Sequence, residues 1–169
     1  MDCIKDYLTG KEINLTGAEE NRQKVMKFLV EEKGFLKSDI KARVEFEILI
    51  SGEPYKTEID LLILINKMIV AVFKTPAGSL SSWDREIISG ARILLPDYQI
   101  PFAIVSDGEN AEIFDTVKGE KIGRGIENIP SKEEIQNYLD KNPLTEFPKE
   151  KTERQKLVFK TYDELNINR

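Results

Sequence analysis

The chain has 169 residues, of which 40% are hydrophobic and 33% charged; that suits one globular domain with a core of its own and excludes a fibrous or disordered chain. The net charge of -5 sets it apart from proteins that coat nucleic acid through an excess of lysine and arginine, and the absence of histidine removes histidine-based triads, most zinc sites and the usual imidazole base. No stretch approaches the roughly 18 apolar residues of a membrane span, and the single Cys3 allows no internal disulfide, so a reducing cytoplasm is the expected setting.

Residues 1–14 read as a leader without a signal-peptide pattern, with Tyr7 and Leu8 able to dock on the body. Thr16 and Glu19 have capping-box spacing, and Ala18, Arg22, Val25, Met26, Leu29 and Val30 recur at helical intervals. These residues predict a helix over 18–33 that Gly34 stops. Val44, Phe46, Ile48 and Ile50 alternate with Arg43, Glu45, Glu47 and Leu49, as in a half-buried strand. After a turn over Ser51-Gly52-Glu53-Pro54, residues 57–65 form a second strand, apolar on both faces from Leu61 to Ile65 and therefore central. Asn66-Lys67 turns the chain into a third strand over 68–74, antiparallel to the second.

Ser81 or Ser82 then caps a helix running to about Leu95, with Ile87, Ile88, Ala91 and Leu94 facing inward, and Phe102 to Val105 is a fourth strand. A strand-helix-strand passage of this kind gives a right-handed crossover and parallel pairing. Asp107-Gly108 is a turn, residues 111–116 a fifth strand and Lys118-Gly119 a second turn. Ser131 caps a short helix to about Leu139. Beyond Pro143 the residues are charged, with a weak apolar stripe of Leu157, Val158, Phe159, Tyr162 and Leu165 in a helix over 149–165 whose interleaved charges suit solvent.

Chemistry concentrates in the central strands. Asp60 and Lys74 stand on neighbouring strands inside an apolar sheet, where a charge needs a partner or a function. Glu58 shares a face with Asp60, and Glu19 lies in the first turn of the opening helix. Carboxylates that hold Mg²⁺ or Mn²⁺ beside a lysine are the elements of phosphodiester hydrolysis: the cation polarises the phosphoryl group and the lysine supports the nucleophile or the transition state. The bland alternatives are an ion pair for Asp60 and Lys74, a capping residue for Glu19, and a solvated first turn, favoured by the helix dipole, for Asp84 and Glu86.

Glu19-Glu20-Asn21-Arg22-Gln23, Glu58-Ile59-Asp60-Leu61, Val72-Phe73-Lys74, Ile104-Val105-Ser106-Asp107-Gly108 and Ala111 to Asp115, in that order, resemble the PD-(D/E)xK nuclease superfamily. More narrowly, the chain resembles the N-terminal nuclease domain of type I restriction enzyme R subunits, over about Leu15 to Ile122. The resemblance implies an α/β fold with a restriction-endonuclease-like core, a mixed central sheet of about five strands flanked by helices. It implies metal ligation by Asp60 and Glu19, with Glu58 adjoining, a catalytic Lys74, and Mg²⁺ or Mn²⁺ as cofactor. Where the family pattern has a glutamate, this chain has Val72, and Glu86 on the crossover helix is the expected replacement in catalysis and metal binding.

The resulting expectation is a metal-dependent DNA endonuclease domain over 15–142, preceded by the leader and followed by a charged extension over 143–169. Its alternative is a module that keeps the fold and binds nucleic acid or protein without cutting. DNA is the expected partner, beside a second copy of the chain or other restriction-type subunits, and no membrane. The chain has no GxxxxGK[ST] loop and therefore no ATP-driven motor of its own.

Overall fold

A computed structural model describes the backbone of residues 2–167 and the side chains of residues 2–166. Met1, Asn168 and Arg169, which end the expected leader and extension, lie outside the described residues. The leader is not a loose arm: β1 (Cys3–Lys5) and β2 (Glu12–Asn14) pair antiparallel as a hairpin, and Tyr7 and Leu8 pack on the core beneath α1 (Gly17–Glu32). The main sheet follows in chain order as β3 (Ile40–Ile50), β4 (Glu53–Ile65), β5 (Met68–Lys74), β6 (Phe102–Ser106), β7 (Ala111–Asp115) and β8 (Glu120–Arg124). All neighbours are antiparallel except β5 and β6, which α2 (Asp84–Ile93) joins as the crossover.

Among the described residues the sheet has six strands where about five are expected from the sequence. The additional one, β8, reads Glu-Lys-Ile-Gly-Arg and is largely exposed at the sheet edge. An edge strand buries little on either face, so it carries no apolar alternation to reveal it. The chain ends in α3 (Lys132–Lys141), with Ile135 fully buried, and α4 (Lys149–Ile167).

The sheet separates two apolar layers. On one face Val25, Met26 and Leu29 of α1, with Ile135 of α3, cover Leu61, Ile63, Phe73 and Ile104. On the other, Ile87 and Ala91 of α2 and Phe159 of α4 cover Leu62, Val72, Ala103 and Val105. The C-terminal helix is thus part of the core rather than a solvated extension. Phe159 is fully buried, and burial of such a ring contributes on the order of 2–3 kcal/mol. Gly90 makes the approach possible, since a Cβ there would meet the Phe159 ring at 3.0 Å. Leu157 and Leu165 of the expected stripe remain exposed.

Arg43 stands where β3 changes sides. Pairing runs from Ala42–Leu61 to Val44–Ile59, with Arg43 between them at a left-handed φ of 52°. Ile40 and Ala42 feed the α1 layer, whereas Val44, Phe46 and Ile48 feed the α2 layer. β4 makes the same switch between Ile59 and Leu61, so Asp60 lies at the point where the sheet turns over. No helix among the described residues is long and apolar enough to cross a membrane.

Candidate functional site

The register Leu62–Val72 and Leu61–Phe73 carries Asp60 to the level of Lys74 and Thr75. The two polar side chains nevertheless point to different partners. Asp60 Oδ2 accepts the Thr75 backbone N–H at 2.7 Å and the Thr75 hydroxyl at 3.3 Å, which closes the end of β5. Lys74, 7% exposed, donates from Nζ to the Glu58 carbonyl at 3.1 Å and lies 5.4 Å from the centre of the Trp83 ring. The Glu58 side chain is exposed, and its backbone rather than its carboxylate serves the site. Asp60 and Glu58 both act electrostatically on Arg22 of α1, whose guanidinium burial and the neighbouring Arg43 hold below the ordinary arginine value.

Glu19 is 2% exposed and surrounded by donors. Arg22 pairs with it from one turn along α1, Gln23 Nε2 donates at 2.9 Å, and Arg43 crosses from β3 at 2.5 Å. The helix start is capped by Thr16 Oγ1, which accepts the Glu19 N–H at 3.1 Å. The reciprocal half of the capping box does not form, because the Glu19 carboxylate turns to the arginines instead. The exposed backbone N–H of the cap is a weak donor to that carboxylate compared with two guanidinium groups in a buried setting. Arg43 is the member that the sequence leaves unannounced. It lies 24 residues from Glu19, and its left-handed backbone aims it over α1.

The first turn of α2 sets two acids, Glu86 and the half-buried Asp84, against two other acids. Glu86 is fully buried. Its Oε2 accepts Asn166 Nδ2 of α4 at 3.3 Å, and the Asp163 carboxyl is its hydrogen-bonded neighbour. Asp163, also buried, takes the Tyr55 hydroxyl on Oδ2 at 2.5 Å. Burial, with the bond to Asp163 next, pushes the Glu86 carboxyl up to about 8, against a smaller opposing pull from Lys74. Asp84 is paired similarly with Glu112 of β7, and burial followed by that contact raises it to about 7. Burial also works on Glu112, but the Lys121 ammonium at 3.0 Å holds it below the ordinary carboxylate value. The fold therefore brings Glu86 into the field of Lys74 but gives it to α4. Asp163 and Asn166 were missing from the sequence reading, although Phe159, Asp163 and Asn166 follow one another at helical spacing on a single face.

The metal that the nuclease resemblance implies does not fit the residues expected to hold it. Among the described residues no three acidic, histidine or cysteine side chains gather in a group able to bind a metal ion. Asp60 caps β5, Glu19 is neutralised by two arginines, Glu58 faces solvent and Glu86 faces Asp163. Val72, opposite Leu62 and beside Ala103, is fully buried among Ile59, Ile87 and Ala91. That environment holds no donor or cation for a carboxylate.

Comparison with known proteins agrees with the order of these elements. The family model described as the type I restriction enzyme R protein N terminus matches residues 17–130, from the start of α1 to the residue before the cap of α3. No curated protein and no solved structure matches the chain. The matched stretch includes the whole main sheet with α1 and α2, and leaves α3 and α4 outside it. On that coverage, the chain belongs to the family of type I restriction enzyme R protein N-terminal domains.

Proposed function

We propose that this chain is a DNA-associated member of its family that keeps the nuclease scaffold without the metal-dependent cut, working in the cytoplasm beside restriction-type subunits. The observation that carries the reading is Val72, fully buried among apolar side chains where the family pattern calls for a carboxylate. The state of Glu19 supports it: a carboxylate already engaged by Arg22, Arg43 and Gln23 has little left to offer a cation. DNA contact falls to the β3 edge, where Lys41 is exposed and the Arg43 side chain keeps 55% of its surface open. Such contact is mainly to phosphate, so binding weakens with salt and carries little sequence preference. Purified protein incubated with single- and double-stranded DNA in Mg²⁺ or Mn²⁺ is expected to retard the DNA and leave it intact. Nicking that disappears in Asp60→Asn and Lys74→Met would overturn this reading.

The second reading, a Mg²⁺- or Mn²⁺-dependent DNA endonuclease, is favoured by one observation. The Lys74 charge acts on the Glu86 carboxyl, so the crossover helix does bring an acid toward that lysine. It requires Glu86 to exchange Asp163 for a cation shared with Asp60. The cleavage assay separates the two readings.

A further inference from the structure

Arg92 is a half-buried cation held in place without a counter-charge. It stands in the last turn of α2, where Nε donates to the Thr116 carbonyl at 2.9 Å and Nη1 to the Gln155 side chain of α4 at 3.2 Å. The guanidinium lies 5.6 Å from the centre of the Phe147 ring. Gly119, at a φ of 70°, leaves room for it, since a Cβ there would meet Nη2 at 2.6 Å. The β7–β8 turn, the linker before α4 and α4 itself thus fix the group. Among the described residues, however, Nη2 donates no hydrogen bond and no carboxylate forms an ion pair with Arg92. The buried Arg22, by contrast, is given Glu19. Burial holds the Arg92 guanidinium below the ordinary arginine value, and Asp115 opposes this at longer range.

Arg92 lines a cavity of about 590 Å³ together with Lys151 and Arg154 of α4. Neither of those two forms an ion pair among the described residues, and Glu146 is the one acid in the lining. The positive excess is local. The chain as a whole carries -5, and a neighbouring cavity of about 540 Å³ that shares Arg92 balances Arg92, Lys149 and Lys156 with Glu47, Glu146 and Glu153. Lys151 and Arg154 also occupy the first turns of α4, where the helix dipole disfavours cations and favours an anion. Val117, Phe147 and Val158 give the cavity an apolar wall. Gln99, 4% exposed, lines it too, and its buried Oε1 receives no donor.

We propose that this cavity binds the phosphate of a nucleotide, either free or at the end of a nucleic-acid strand. Arg92 Nη2, Lys151 and Arg154 take the phosphate oxygens through charge-assisted hydrogen bonds, and the planar guanidinium, already fixed, loses little freedom in doing so. The apolar wall covers the sugar and base, and a sugar hydroxyl or base amine supplies the donor that Gln99 lacks. The volume suits a ligand of that size. Arg92 belongs to the stretch the family model matches, whereas Lys151 and Arg154 lie beyond it, so the C-terminal helix completes the site. It is separate from Asp60 and from the β3 edge, and it does not depend on whether the chain cuts DNA.

The test is calorimetric titration of the full chain at low salt with deoxyadenosine monophosphate, with deoxyadenosine, and with a short single-stranded oligodeoxynucleotide carrying or lacking a 5′-phosphate. One nucleotide per chain is expected, and the nucleoside should bind at least about tenfold more weakly. Lys151→Gln with Arg154→Gln, both on exposed positions and so expected to fold, should weaken the monophosphate by about tenfold or more. Arg92→Lys should also weaken it, because an ammonium does not reproduce the fork of the guanidinium; circular dichroism checks that this variant is folded. Lys41→Gln on the β3 edge should leave the affinity unchanged. Tighter binding of the phosphorylated strand than of the mononucleotide supports the site as one for strand ends, and equal affinity supports it as one for free nucleotides. No saturable binding of either phosphorylated probe, equal binding of nucleoside and nucleotide, or an affinity unaltered in the Lys151 and Arg154 double variant overturns the site.

Discussion

Two buried glutamates, one on each side of the sheet, are treated in opposite ways. Glu19 on α1 is met by Arg22, Arg43 and Gln23, so its charge is kept and neutralised locally. Glu86 on α2 is met by Asp163, Asn166 and, at longer range, Lys74, so burial and the second acid favour its protonated form. The family resemblance assigns both residues the same task, metal ligation. Their surroundings show that residue type and order on the chain do not settle what a buried carboxylate does; the neighbours that tertiary packing supplies settle it.

The comparison can be pressed hardest by adding a further buried carboxylate with neither cation nor acid beside it. Val72→Glu puts a charge among Ile59, Leu62, Ile87 and Ala91 and is expected to cost about 4 kcal/mol or more, read by urea denaturation. A variant that retains its midpoint and gains cleavage would show that the apolar layer opens to admit a site. Next comes the loss of compensation at Glu19. Arg22→Met leaves that carboxylate with Arg43 and Gln23 alone and should cost about 3 kcal/mol by the same measurement. A change of a few tenths of a kcal/mol would mean that Arg43 suffices.

Glu86→Gln should act with the opposite sign. With the folded carboxyl raised from 4.5 to about 8, the folded state retains a proton that the unfolded chain releases. The contribution of Glu86 to stability is therefore greatest below pH 4.5, falls as the pH rises toward about 8, and levels off above it. The glutamine variant removes that part of the slope, leaving the smaller one of Asp84, and becomes the more stable protein at the alkaline end. Superimposable denaturation profiles of the two proteins across this window would remove the distinction between Glu19 and Glu86. The smallest effect belongs to Tyr55→Phe, which deletes the hydroxyl bond to Asp163 and should lower stability by about 1 kcal/mol, with no change in DNA retardation.

The elements that bury a periodic face were legible in the residues. Helical spacing from Ala18 to Val30, the apolar run from Leu61 to Ile65 and the strand-helix-strand order around α2 were enough for α1, the central strands and the parallel pairing of β5 with β6. What escaped was either too polar to show a pattern, as in β8, or locally ambiguous, as in α4, where one buried Phe159 among charged neighbours determines the packing. Glu19 was ambiguous for another reason. A capping box and an ion pair compete for the same carboxylate, and the choice depends on Arg43, far along the chain and aimed by a single left-handed φ.

By itself, then, the sequence determined the class of fold, the family and the apolar character of position 72, because those follow from local periodicity, from motif order and from the residue itself. Tertiary structure decided which charges meet. It turned Asp60 to Thr75, Lys74 to Glu58 and Glu86 to Asp163, since partners contributed by separate strands and by the C-terminal helix come together only when the sheet twists and both layers close. The electrostatics of a buried group depend on neighbours within a few ångströms, and spacing along the chain does not specify those neighbours.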